Sequence, residues 1–353
     1  MKSPSILATR TALPPHVVSQ EALLARLLRH WGDRRISPER VAQLHRATGV
    51  SKRHLALPMD DYPALDSFPK KNAVWMSAAF ALGCEAVTGA LAAAGLEPRD
   101  VDHIFFTTVT GIAVPSLCAR IAGKLGFPAH VKRTPFFGLG CVGGAAGVAR
   151  AADYLRAFPD EVAIVLSIEL CSLTLQLDDF SIANVIATGL FGDGAACVVL
   201  AGADGPSRGG PRVTASRSIL YPDTEEVMGW ELVKSGFKVV LTGRVPDVAR
   251  ENLGRDVESF LGDLGLPRES IRHWVVHTGG PKVLEAIEEG LGLPRSALAR
   301  SWRSLETVGN LSSASVLFVL HDLLGSDEPK SGERGLLTAM GPGFVSELVV
   351  LEW

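Results

Sequence analysis

Three side chains of this 353-residue chain have the types and settings from which nucleophilic acyl chemistry is built. Cys141 stands between FFGLG and VGGAAG, at the predicted start of a helix. Free N–H groups and the positive end of a helix dipole favour a thiolate there, and the flanking glycines leave the sulfur unobstructed. His277 ends the apolar run HWVVH and precedes TGGP, which places an imidazole at a strand end, where α/β proteins build sites. Asn310 opens the run GNLSSAS, a second predicted helix start. Taken singly, each has a plainer reading as an inert buried thiol, a histidine satisfied by backbone, or a helix cap.

An internal repeat relates the three. VDHIFFTT at 101–108 resembles IRHWVVHT at 271–278, and GCVGGAAGVARAADYL from Gly140 resembles GNLSSASVLFVLHDLL from Gly309, at offsets of 170 and 169 residues. Each half is expected to run strand, helix, strand, then a helix opened by glycine and small residues. A pseudo-twofold axis would bring the helix starts of Cys141 and Asn310 together, with His277 at the adjoining strand end. A nucleophilic cysteine site is assembled in this way from distant parts of a chain.

The elements that must position these groups are legible in outline. Residues 15–60 carry polar helical patterns and read as an N-terminal helical segment. A small-residue helix follows, roughly Lys71 to Ala94, whose alanines and glycines suit close packing. From Val101 onward β-rich and helical runs alternate: VDHIFFTT, a helix near Ser116–Leu125, VKRTPFF, a helix from Cys141 and EVAIVLSIE. Such alternation predicts an α/β architecture. Ala201–Pro211 is the best linker, so the expected division is 1–205 with Cys141 and 206–353 with His277 and Asn310.

Composition narrows the function. A net charge of −3 gives no basic face for nucleic acid, and no run of 18 apolar residues suggests a membrane span. The N-terminus lacks a signal-peptide pattern, and five cysteines without a CxxC pair fit free thiols in a reducing cytoplasm and argue against structural zinc.

The motifs GLGCVGG, ATGLFGDGAACVV, VVHTGGPKVLEAIE, GNLSSASVLFVL and AMGPGFVSELVVL resemble those of type III polyketide synthases, the chalcone-synthase-like branch of the thiolase superfamily, over nearly the whole chain. HTGGP and MGPGF favour that branch over ketoacyl-ACP synthase III, a one-extension alternative with the same Cys, His and Asn. A non-catalytic thiolase-fold dimer subunit is the other alternative, and the intact triad argues against it. The resemblance implies a homodimer of duplicated αβαβα subunits that takes acyl-CoA and malonyl-CoA as substrates and uses no metal or redox cofactor. It implies that Cys141 carries the acyl thioester as partner of an ion pair with His277, and that His277 and Asn310 stabilise the malonyl-derived enolate. It makes Phe191 a gatekeeper and Gly341, Pro342 and Gly343 the cavity roof.

Departures from the plant pattern shape the expected substrate. Val239 replaces a second gatekeeper phenylalanine, and Thr110, Val114 and Cys171 match positions lining an acyl tunnel in bacterial members. These point to a long-chain acyl-CoA starter. Val109 replaces a threonine beside Glu169 and Ser312, which removes a hydroxyl from the ring-closing machinery and points to alkyl-α-pyrones with minor alkylresorcinols. Arg46, Lys52, Arg53 and Lys282 are candidates for the CoA phosphates.

Overall fold

A computed structural model describes residues 3–32, 37–207 and 209–353. The chain begins with β1 (Ser5–Ala12), β2 (His16–Ser19), α1 (Gln20–Trp31), α2 (Pro38–Arg46), β3 (Lys52–Leu55) and α3 (Phe68–Ala94). The first half of the repeat follows: β4 (His103–Thr107), α4 (Leu117–Leu125), β5 (Lys132–Phe136), α5 (Gly143–Ala157), β6 (Val162–Leu170), α6 (Ile182–Leu190) and β7 (Asp193–Ala201). The remainder is β8 (Arg212–Leu220), β9 (Met228–Val233), β10 (Gly236–Leu241), α7 (Val245–Asp263), β11 (Ile271–Val276), α8 (Pro281–Leu291), α9 (Ala299–Val308), α10 (Ser315–Leu324), β12 (Arg334–Gly341) and β13 (Val345–Glu352). The expected linker spans the gap between β7 and β8; its Arg208 lies outside the described residues.

Strand alternation divides the interior into layers, because successive side chains of a strand point to opposite faces. On β4, Ile104 and Phe106 join α3 and α4 in one core, while Phe105 joins α5 and α10 in another. On β13, Val349 and Leu351 face the same central helices, and Leu348 and Val350 face α7 and α8. The order is therefore α3 and α4, sheet, α5 and α10, sheet, α7 and α8: the five-layer, thiolase-like arrangement expected from the sequence. The sheets run in the order β11-β12-β13-β8-β1-β7-β6-β4-β5 and meet at a single β1–β8 pair, Ser5 with Arg212.

Small residues set the spacing. A Cβ on Gly83 of α3 would stand 2.6 Å from Ile121 Cδ1, and one on Gly144 of α5 would stand 2.2 Å from the Ser313 carbonyl oxygen. By length and composition α3 could cross a bilayer, but here its buried face, Trp75, Ala79, Ala86 and Ala90 among others, belongs to the outer core.

Two expectations need correcting. The second half of the repeat has no strand between α8 and the Asn310 segment; α9 stands there, and its sequence ARSWRSLETV buries only Ser301 and Leu305, too little for a strand packed on both faces. The first strand was read only for a leader pattern, yet β1 pairs with β7 from Ser5–Ala201 to Ala12–Ala195. Its polar residues Arg10 and Thr9 hide the alternation; Thr9 bonds His321 Nδ1 at 2.9 Å.

Gly144→Ala tests the central spacing. The methyl group has backbone against it and nowhere to move, so denaturant unfolding should show a loss of about 2–3 kcal/mol. Wild-type stability would mean that α5 and α10 are not locked together here.

Candidate active site

The repeat places the two helix starts as its symmetry requires. Cys141 sits in a 3-10 turn, Gly140–Val142, that leads into α5; Ser312–Ala314 forms the equivalent turn before α10. The turns touch: the Cys141 thiol donates to Ser312 Oγ at 3.7 Å. The loop after β12 closes on the same place. A Cβ on Gly140 would meet Pro342 at 2.6 Å, and one on Gly341 would meet the Val142 nitrogen at 2.8 Å. Gly341 and Pro342 thus wall the cysteine turn, with Gly343 following.

Asn310 is oriented by its neighbours. Its Oδ1 accepts from the Ser312 N–H at 2.8 Å and the Ser315 hydroxyl at 3.4 Å, and its Nδ2 donates to the Gly279 carbonyl at 3.4 Å. With the oxygen held at its back, the amide presents its donor side to the cavity. Ser312 reaches this position at φ +48°, a left-handed conformation costly for serine, so surrounding contacts must hold it. His277 follows β11, and its N–H donates to the Thr338 carbonyl at 3.0 Å. Its Nδ1 is buried with no partner among the described residues. His277, Asn310, Phe191, Lys282 and Phe344 line one cavity of about 490 Å³.

Burial dominates the electrostatics. It pushes the Cys141 thiol up to about 12 and His277 down to about 4. Each group alone is therefore neutral near pH 7, and no hydrogen bond joins them among the described residues. Burial thus opposes the expected thiolate at the helix start, and a proton acceptor such as His277 would offset it by letting the two charges arise together.

Glu169 lies behind the cysteine, fully buried. Its Oε2 accepts from the Val109 N–H at 3.1 Å, Thr110 Oγ1 at 2.9 Å and Thr108 Oγ1 at 3.4 Å; Oε1 accepts from Ser313. With no cation beside it, burial raises the carboxyl to about 7, where it can both give and take a proton. The hydroxyls on Glu169 are those of Thr108 and Thr110, on either side of Val109, and of Ser313, next to Ser312. The TTVT and SSAS runs held that signal: Val109 has a threonine on each side, and Ser312 is followed directly by Ser313.

The outer candidates scatter. Cys171 and Val239 line a smaller cavity, about 70 Å³, on the other side of Phe191. Thr110 is spent on Glu169 and on the Leu170 N–H, which it accepts at 2.9 Å. Val114 is 92% exposed, on the loop that leaves β4. Arg46, Lys52 and Lys282 are exposed, and Lys282 stands at the second position of α8 on the rim of the large cavity. Arg53 is not with them. It is 1% exposed and bonded to carbonyls inside the fold, so it has no access to a phosphate.

Comparison with known proteins agrees with this geometry. Models for the N-terminal and C-terminal domains of chalcone and stilbene synthases match residues 2–205 and 212–353. The chain is 51% identical to a 1,3,6,8-tetrahydroxynaphthalene synthase of Streptomyces peucetius subsp. caesius, over 99% of this chain and 93% of that protein. It is 32% identical to a phloroglucinol synthase of Pseudomonas fluorescens, over 87% of each. The crystal structure of 1,3,6,8-tetrahydroxynaphthalene synthase from Streptomyces coelicolor A3(2), a bacterial type III polyketide synthase, superposes with a TM-score of 0.94 at 30% identity, covering 99% of both chains.

If the thiolate depends on proton transfer, His277→Ala should slow iodoacetamide alkylation of Cys141 at pH 7 by about tenfold or more. Peptide mapping of the labelled cysteine reads this. An unchanged rate would mean that Cys141 ionises without the histidine.

Proposed function

The chain belongs to the chalcone and stilbene synthase family, the type III polyketide synthases, and from that premise we propose that it builds a fused aromatic polyketide from malonyl-CoA alone. As a member of that family it is an acyltransferase whose core step is decarboxylative condensation of malonyl-CoA. The proposed roles follow the geometry. Cys141, having passed its proton to His277, attacks a thioester carbonyl, and the CoA thiolate leaves. A second malonyl thioester loses carbon dioxide, and the negative charge arrives on its carbonyl oxygen. His277 Nε2 and Asn310 Nδ2 donate to that oxygen, and a donor of this kind contributes about 3 kcal/mol to the barrier. The enolate carbon then attacks the thioester on Cys141. Phe191, between the two cavities, shields the reacting carbons from water.

The choice of product rests on Glu169. A naphthalene skeleton holds ten carbons, which five two-carbon units from malonyl-CoA supply, and its rings close by carbon–carbon bonds. Closing them needs enolisation and loss of water, for which a carboxyl near 7 surrounded by three hydroxyls is suited. The names of the relatives, a tetrahydroxynaphthalene and a phloroglucinol synthase, point the same way. The long-chain starter and alkyl-α-pyrone product anticipated from sequence form the competing reading. Against it stand Thr110 held by Glu169 and the small space beside Cys171 and Val239.

CoA is proposed to lie along the rim with its phosphates toward Lys282, Arg46 and Lys52. The exposed apolar side chains Ile112, Val114 and Phe137 support a homodimer, since a second copy would cover them. Five unpaired cysteines fit a reducing, cytoplasmic setting.

Purified enzyme given malonyl-CoA alone should release a tetrahydroxynaphthalene, identified by mass and absorbance. Alkyl-α-pyrones from dodecanoyl- to octadecanoyl-CoA, with no product from malonyl-CoA alone, would overturn the proposal. Glu169→Gln should divert product from fused aromatics to lactones while malonyl-CoA consumption stays within about threefold.

A further inference from the structure

Among the described residues, Arg53 is the one arginine in the buried interior, and the chemistry above gives it no part. Its partners are concentrated at one place. Nη1 donates to the carbonyls of Thr188 at 3.1 Å and Phe191 at 2.8 Å; Nη2 donates to the Gly189 carbonyl at 2.7 Å and to Gln20 Oε1. Gly189 receives two more donors, Gln20 Nε2 and Thr48 Oγ1, each at 3.0 Å. These carbonyls close the C-terminus of α6, where intrahelical partners run out and a cation is favoured.

The chain leaving that helix end is the gatekeeper segment, and it is tied to Asn310. The Asn310 N–H donates to the Leu190 carbonyl at 2.9 Å, and the Gly192 N–H donates to the Asn310 carbonyl at 3.0 Å, so Phe191 and Asn310 form one bridge. Beyond Phe191, Asp193 accepts from the N–H groups of Ala56 and Ser172, both at 2.7 Å. The segment is thus clamped from both sides by Gln20, Thr48, Arg53 and Ala56, which lie outside the repeat.

We propose that Arg53 is a positioning residue for decarboxylation: through the carbonyls of Thr188, Gly189 and Phe191 it fixes the ring of Phe191 and, across the 191–310 bridge, the carboxamide of Asn310. Its planar fork reaches four acceptors at once, which a lysine ammonium cannot do. Arg53 is the side chain through which the N-terminal segment reaches these three carbonyls at once. The proposal rests on the reading of Asn310 and Phe191 as decarboxylation machinery.

The test separates positioning from phosphate binding. Arg53→Met and Arg53→Lys are assayed for decarboxylation of malonyl-CoA and of malonyl-N-acetylcysteamine, which lacks the nucleotide and its phosphates, with Asn310→Ala in parallel. Displacement of the gatekeeper segment should lower kcat of Arg53→Met on the order of a hundredfold with both substrates, leave KM within about threefold, and place Arg53→Lys between. A loss confined to malonyl-CoA, or a raised KM with kcat intact, overturns the proposal in favour of a CoA contact. Wild-type decarboxylation by Asn310→Ala overturns the site reading and the proposal with it. Should the Arg53 variants not fold, Gln20→Ala decides, because it strips the guanidinium of its side-chain partner: kcat lower by about tenfold at constant KM supports the proposal, and an unchanged kcat overturns it.

Discussion

Between Gly144 of α5 and the carbonyl of Ser313 there is no room for a methyl group, and the geometry of the site depends on that contact. It holds the starts of the two central helices together and so puts Cys141 in reach of Ser312. The Ser312 N–H in turn holds the Asn310 amide. Each sheet covers the helix pair with one face, so the pair cannot shift without disturbing both cores. The proposed nucleophile and oxyanion donor, from halves of the chain about 170 residues apart, are therefore fixed relative to one another by packing.

The same burial governs the ionisable groups. Cys141 and His277 are each pushed toward neutrality, Glu169 is held near 7, and Asp193 is raised to about 6 while its carboxylate takes backbone donors. Such a site carries no standing charge at the sulfur. In the proposed reaction charge appears with the chemistry, as a thiolate–imidazolium pair or an enolate oxygen, and meets donors already in place. The exception is Arg53, whose cation is used on helix-end carbonyls.

What the sequence revealed follows from how each feature is encoded. Cys141, His277 and Asn310 were legible because small residues and strand ends surround them in recognisable runs, and the repeat linked them. The α/β class was legible because β-rich runs such as β4 and β6 alternate with helical ones, and the layers came with the resemblance, since strands buried on both faces do not show which face meets which helix. Arg53 was not: in SKRHL it looks like one basic residue among several, and only the fold shows that β3 turns it inward while Lys52 faces out. Glu169 was recognised, but its partners Thr108, Thr110 and Ser313 were not, because which of several adjacent hydroxyls points inward depends on tertiary contacts. The strand β1 and the helix α9 were missed or misassigned where local composition is mixed and packing decides.

The central claim, that Cys141 is the atom on which the polyketide grows and that malonyl-CoA itself can load it, is tested most directly by intact-protein and peptide mass spectrometry after brief mixing with malonyl-CoA. The account predicts an acyl adduct derived from malonyl-CoA on the peptide bearing Cys141, absent in Cys141→Ala. An adduct on Cys171 or another cysteine, or no adduct until a fatty acyl-CoA is added, would contradict it.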